Sequence, residues 1–118
     1  TLVETAISAN PSFFLGTDSA PHPTHAKYGK DAKAGIFNAA YGLEVIAEIF
    51  ATENKLENLA AFTSVNGATF YGYEPSHETI TLHRSSLDPE KATHISTENG
   101  NQVVLFGAEE ASQWTINT

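Results

Sequence analysis

The 118-residue chain contains no cysteine. That excludes a disulfide framework and any thiolate metal site. It has no methionine either, and its first residues are Thr1-Leu2-Val3-Glu4. A piece of a longer protein is the expectation, with a trimmed initiator as the alternative. Bases are scarce: 6 Lys and Arg stand against 14 Asp and Glu, a formal net charge of -8. This balance argues against nucleic acid and against an anionic membrane surface, because both need a basic patch. The longest uncharged apolar run falls well short of the ~18 residues a membrane span needs, and no signal peptide is visible. A cytoplasmic location is therefore expected. No nucleophile elbow, phosphate-binding glycine loop or zinc ribbon is present. There is no internal repeat and no low-complexity segment.

What is there is globular in character, at 41% hydrophobic and 17% charged residues. The length suits one domain with a modest core. Residues 1 to 9 place Leu2, Val3, Ala6 and Ile7 on one helical stripe. Asn10-Pro11-Ser12 reads as a turn. Phe13-Phe14-Leu15-Gly16-Thr17 is a short apolar run between that turn and Asp18, which predicts a strand buried on both faces. Helix, turn and buried strand make half of a βαβ-type repeat. Asp18 falls at the strand's C-terminal end, where α/β folds place catalytic groups. A cap or turn residue is the plainer reading of a lone acid there.

Residues 19 to 33 read as a loop holding Pro21, Pro23 and Gly29. Lys27, Lys30 and Lys33 lie in it, half of the chain's cationic side chains. A loop of this length is often functional. Beside Asp18, its basic character suits an anionic substrate; a solvated loop is the alternative. His22 and His25, with Asp18, could form a zinc site of three protein ligands, although Pro21 and Pro23 disfavour a regular helix there. His77, His83 and His94 read as surface residues, and Trp114 as a packing residue.

Residues 34 to 52 predict the strongest helix, with Ile36, Ala40, Leu43, Ala47 and Phe50 on one stripe and Phe37, Tyr41, Val45 and Ile49 on another. Glu44 and Glu48 fall on the remaining face, and Asn54 is a plausible stop. A second short helix is expected over 56 to 63. Asn66 is read as the cap of one more helical turn closed by Gly72, in preference to an Asn66-Gly67 hairpin turn. Beyond Pro75 the period changes to two. Strands are expected over 79 to 84, 93 to 96, 102 to 106 and 113 to 116, with a hairpin at Asn99-Gly100. Residues 1–72 thus read as α/β, and 73–118 as a β-rich tail.

The run Leu15-Gly16-Thr17-Asp18-Ser19-Ala20-Pro21-His22, then His25, then Ala34-Gly35-Ile36-Phe37-Asn38-Ala39, resembles the C-terminal part of dihydroorotase. The single-function bacterial class of that family is the nearest in pattern. Ser64-Val65-Asn66-Gly67, Phe70-Tyr71-Gly72 and the end around Trp114 continue the resemblance over essentially the whole chain. It implies the C-terminal portion of a (β/α)8 barrel: the last barrel strand, the helices after it, and a small C-terminal β appendage. It implies a reaction that interconverts dihydroorotate and N-carbamoyl-aspartate in pyrimidine synthesis, at two zinc ions.

By the same resemblance Asp18 binds one metal ion and acts as the general base. His22 contacts the substrate carboxylate with the backbone near Ala20, Ala34 and Gly35. The family's other metal ligands all precede this segment. A barrel needs ~250 residues, so the isolated chain is expected to be inactive and to depend on a missing N-terminal barrel portion, or on self-association as a homodimer or otherwise. A standalone, non-catalytic binding or structural module derived from this fold is the competing expectation.

Overall fold

The structure, a computed structural model, describes residues 1–86 and 90–117. It mixes helix and strand, in agreement with an α/β reading at that level. Helix α1 (Leu2–Ile7) opens the chain. The Thr1 hydroxyl accepts from the Glu4 amide at 3.2 Å while the Glu4 carboxylate meets the Thr1 ammonium, a reciprocal cap. The turn at Asn10 is as expected, with the Asn10 side-chain oxygen accepting from the Ser12 amide at 3.0 Å.

The expected strand at 13–17 is not a strand. The segment carries no ladder among the described residues; the Leu15 amide bonds to the Phe62 carbonyl at 3.0 Å, and the Phe13 carbonyl accepts from Asn66 Nδ2 at 3.1 Å. An apolar run becomes a strand only when a neighbouring strand takes its amides and carbonyls. The four strands among the described residues are all in the tail. Strands β1 (Thr81–Arg84) and β4 (Trp114–Asn117) pair antiparallel, with Leu82 opposite Ile116 and Arg84 opposite Trp114. Strands β2 (His94–Ser96) and β3 (Gln102–Val104) pair antiparallel around the expected Asn99-Gly100 turn. The Gly100 amide closes that turn on the Thr97 carbonyl at 2.9 Å.

After the one-turn helix α2 (Thr24–Lys27) comes α3 (Gly42–Thr52), the longest helix. It starts eight residues later than the apolar stripes predict. Gly35 has φ +107°, outside helical geometry. The Ile36 and Phe37 carbonyls are already taken, by the Ala20 amide at 2.8 Å and the Phe106 amide at 3.0 Å. Helix α3 ends as expected: Asn54 adopts φ +54°, and the Lys55 amide bonds back to the Phe50 carbonyl at 2.8 Å.

Residues 56 to 70 form one irregular helical stretch: a tight 3-10 turn (Leu56–Asn58), a wide π turn (Ala61–Val65), then α4 (Asn66–Phe70). The break expected near residue 63 is absent, and Asn66 is no cap. Its backbone is helical and its side chain is buried against Phe13.

The core is shared between α3 and the tail: Ala47 and Phe50 from the helix, with Val103, Leu105, Ala111 and Trp114. Phe62 extends it, its ring 5.6 Å from that of Phe50. Trp114 is buried, as the sequence suggested. The tail crosses α3 closely at Gly107, where φ is +86° and a Cβ would lie 2.4 Å from a Val45 methyl. Glu44 and Glu48, expected on an outer face, point instead into this contact. Glu44 is buried with Lys91 Nζ 3.9 Å away. Glu48 accepts from the Trp114 indole at 2.6 Å and from Arg84 at 3.1 Å. Among the described residues no helix is long and apolar enough to cross a membrane.

Candidate functional site

The loop from Thr17 to Asn38 folds back on itself. Its two limbs meet where Ala20 faces Gly35. A Cβ at Gly35 would lie 2.6 Å from the Ala20 methyl, and its φ of +107° is one that side chains rarely adopt. Glycine is therefore required there twice over, by space and by backbone. The neck is closed by Lys27, whose ammonium donates to the Gly35 carbonyl and, at 3.3 Å, to the Lys33 carbonyl. One of the loop's three lysines is thus committed to holding the loop shut.

The folded loop rests on the β2–β3 hairpin. Pro23 bridges to Val103 and Phe37 to Leu105, and the Thr24 hydroxyl donates to the Gln102 carbonyl at 2.8 Å. Between loop and hairpin lies a cavity of about 170 Å³. Ala20, His22, Lys27 and Gly35 line it from the loop, and Val103 and Phe106 from the hairpin side. The walls are mainly apolar, with His22, Lys27 and Tyr28 as the residues that carry polar side-chain groups. Such a lining suits a small, flat, anionic ligand.

Three of the four residues expected to touch substrate are therefore brought together: Ala20, His22 and Gly35. Ala34 is exposed beside Gly35 and does not line the cavity. Asp18 lies two residues from Ala20, exposed, at φ +41°. The possible local zinc site of Asp18, His22 and His25 does not assemble. Among the described residues no three His, Asp or Glu side chains converge on one point. Asp18 offers a metal one oxygen donor, and a stable zinc site needs three or four protein ligands. The residues present do not by themselves fit a zinc ion. His77, His83 and His94 are exposed, as expected.

Sequence reasoning passed over Lys27 as a clasp and Asn38 altogether. Asn38 Nδ2 donates to the Thr17 carbonyl at 2.7 Å, directly before Asp18. The signal available for Asn38 was its place in the Ile36-Phe37-Asn38 run, where helical periodicity gave it no task.

Taken together, a closed loop and a mainly apolar cavity, with an exposed acid two residues from its lining, make a candidate ligand site in a mixed α/β chain. The comparisons with known proteins give that class a name. The chain is 44% identical over 117 residues to the dihydroorotase of Vibrio parahaemolyticus, covering 98% of this chain and 33% of that protein. It is 42% identical over 115 residues to the dihydroorotase of Erythrobacter litoralis, with the same coverage. Among solved structures it superposes on dihydroorotase from Saccharomyces cerevisiae, solved in complex with 5-fluoroorotic acid, at a TM-score of 0.84 and 29% identity, covering 98% of this chain and 33% of that one. Dihydroorotase from Campylobacter jejuni gives a TM-score of 0.78 at 30% identity, with 99% and 32% covered. No family model matches the chain. The resemblance to the C-terminal part of dihydroorotase is borne out over nearly all of the chain, which spans about a third of the length of the relatives it matches.

Proposed function

We propose that this chain is the C-terminal portion of a dihydroorotase, a cytoplasmic enzyme that interconverts dihydroorotate and N-carbamoyl-L-aspartate. Residues 1–72 supply the end of its (β/α)8 barrel, and residues 73–118 a β-rich tail that walls the substrate loop. The observation that carries this reading is the match to dihydroorotases along 98% of the chain, at a loop that gathers Ala20, His22 and Gly35 around one cavity.

The roles follow from the chemistry. In the full-length enzyme two zinc ions, held mainly by groups outside these 118 residues, would supply Lewis-acid activation of water. The Asp18 carboxylate would contribute one metal ligand, take a proton from the attacking water and deliver it to the ring nitrogen as the amide bond opens. His22 holds the substrate carboxylate, with backbone groups at Ala20 and Gly35. The apolar hairpin wall excludes water from the flat ring. Lys27 keeps positive charge beside an anionic substrate in a chain of net charge -8.

The test is a chimera. This chain replaces the matching third of the Vibrio parahaemolyticus enzyme, and dihydroorotate hydrolysis is followed with zinc present. The chimera should turn over substrate, and Asp18→Asn should reduce kcat by about 100-fold or more, the scale of a lost general base. The 118 residues alone should give no turnover. Full activity in Asp18→Asn, or hydrolysis by the isolated chain, overturns the reading.

A further inference from the structure

We infer that Asn38 is the positioning residue for Asp18, an inference that rests on the role proposed for Asp18 above. Asp18 is a non-glycine residue at φ +41°. Left-handed backbone at such a residue costs roughly 1–2 kcal/mol and persists where neighbouring structure holds it. The segment 36–38 provides the hold. The Ala20 amide donates to the Ile36 carbonyl at 2.8 Å, and Asn38 Nδ2 donates to the Thr17 carbonyl at 2.7 Å. Asp18 and Ser19 are therefore clamped from both sides by one short stretch of chain.

The two halves of the clamp differ. The Ala20–Ile36 bond is backbone to backbone and depends on no side chain. The Thr17 bond depends on the Asn38 amide alone. That amide has one workable orientation, because its oxygen cannot bond a carbonyl. The other half of the amide is not used: Asn38 Oδ1 is buried and has no hydrogen-bond partner among the described residues. A buried, half-satisfied amide is costly. Among the described residues, the group its donor end serves is the carbonyl preceding the proposed base. Asn38 is itself fixed from behind. Its carbonyl accepts from the Gly42 amide at 2.7 Å, the first turn of α3.

The chimera described above tests this with two variants. Asn38→Leu keeps the shape, removes the donor and removes the orphaned oxygen. It should keep its melting temperature, lose kcat by about 10- to 100-fold, the scale of a misplaced catalytic group, and hold KM within about twofold. Asn38→Gln, which retains an amide donor, should recover part of kcat. In the 118-residue chain, the three-bond HN–Hα coupling of Asp18 should move toward the extended-chain value in Asn38→Leu. Parental kcat in Asn38→Leu overturns the inference. So does a kcat loss in both variants that tracks a matching fall in melting temperature. Retained turnover in Asp18→Asn instead marks failure of the Asp18 assignment, so the two failures are distinguishable.

Discussion

At the scale of single residues, the tightest constraint in the loop is Gly35. Its missing side chain lets the two limbs meet at Ala20, and its φ of +107° lets the chain reverse into Ile36. Gly35→Ala adds both penalties. Backbone strain costs on the order of 1–3 kcal/mol, and overpacking a similar amount. We expect Gly35→Ala to lower stability by about 2–4 kcal/mol in denaturant unfolding. The overlap is specifically with the Ala20 methyl, so adding Ala20→Gly should recover the packing part and leave the backbone part. A Gly35→Ala chain as stable as the parent would show that the limbs do not close as described. Asp18 and His22 stand differently. Their residue types and order in the Gly-Thr-Asp-Ser-Ala-Pro-His run were legible in the sequence. What was not legible is that the Asp18 backbone is left-handed and that the Thr17 carbonyl before it is held from a point 21 residues away.

Among the elements, α3 is the spine on which loop and tail are both mounted. Its first turn carries the Asn38 carbonyl, its middle buries Ala47 and Phe50, and Glu48 ties it to the β1–β4 pair. Arg84 stacks 5.7 Å above the Trp114 ring and bonds the same carboxylate. Hydrogen bonds to charged groups contribute about 1.5–3 kcal/mol. Glu48→Ala removes two of them at once and leaves the indole N–H unpaired in a buried site. Trp114 is the chain's single tryptophan, so its fluorescence reports on this contact alone. Glu48→Ala should shift the emission to longer wavelength and lower the melting temperature. Glu48→Gln, which keeps an acceptor, should fall between. Unchanged emission in Glu48→Ala would mean that the helix and the strand pair do not depend on this carboxylate. Apolar periodicity marked α3 correctly from Gly42 onward, because period and burial agree there. It failed over 34–41, where Ile36 is exposed and Phe37, Ala40 and Tyr41 are half-buried in a non-helical segment that Phe37 bridges to Leu105. It also put Glu44 and Glu48 on the wrong face, because their partners lie far along the chain and no local pattern encodes a distant arginine, lysine or indole.

For the whole molecule, the decisive quantity is surface. The chain exposes 8258 Å² and has a radius of gyration of 15.9 Å. A compact monomer of 12.7 kDa exposes about 6,200 Å², and one of 118 residues has a radius near 13.5 Å. The excess is partly aromatic. Phe14, Phe70 and Tyr71 pack ring against ring within 6 Å, yet Phe70 and Tyr71 remain 68% and 66% exposed. Phe14 belongs to the run that reads as a buried strand, so the sequence records a burial that this chain alone does not provide. That is why a buried strand was legible as a pattern and absent as a ladder: the apolar faces are written into residues 13–17, but no strand among the described residues pairs with them. Exposed aromatic surface of this kind drives association. We expect the isolated chain to assemble into dimers or larger species as its concentration rises, and to bind an apolar dye at the Phe14 cluster. Phe70→Ser with Tyr71→Ser should weaken both. Light scattering across a concentration series checks this. A monodisperse 12.7 kDa monomer with no dye binding would show that the exposed cluster needs no cover, and that the fold is complete as it stands.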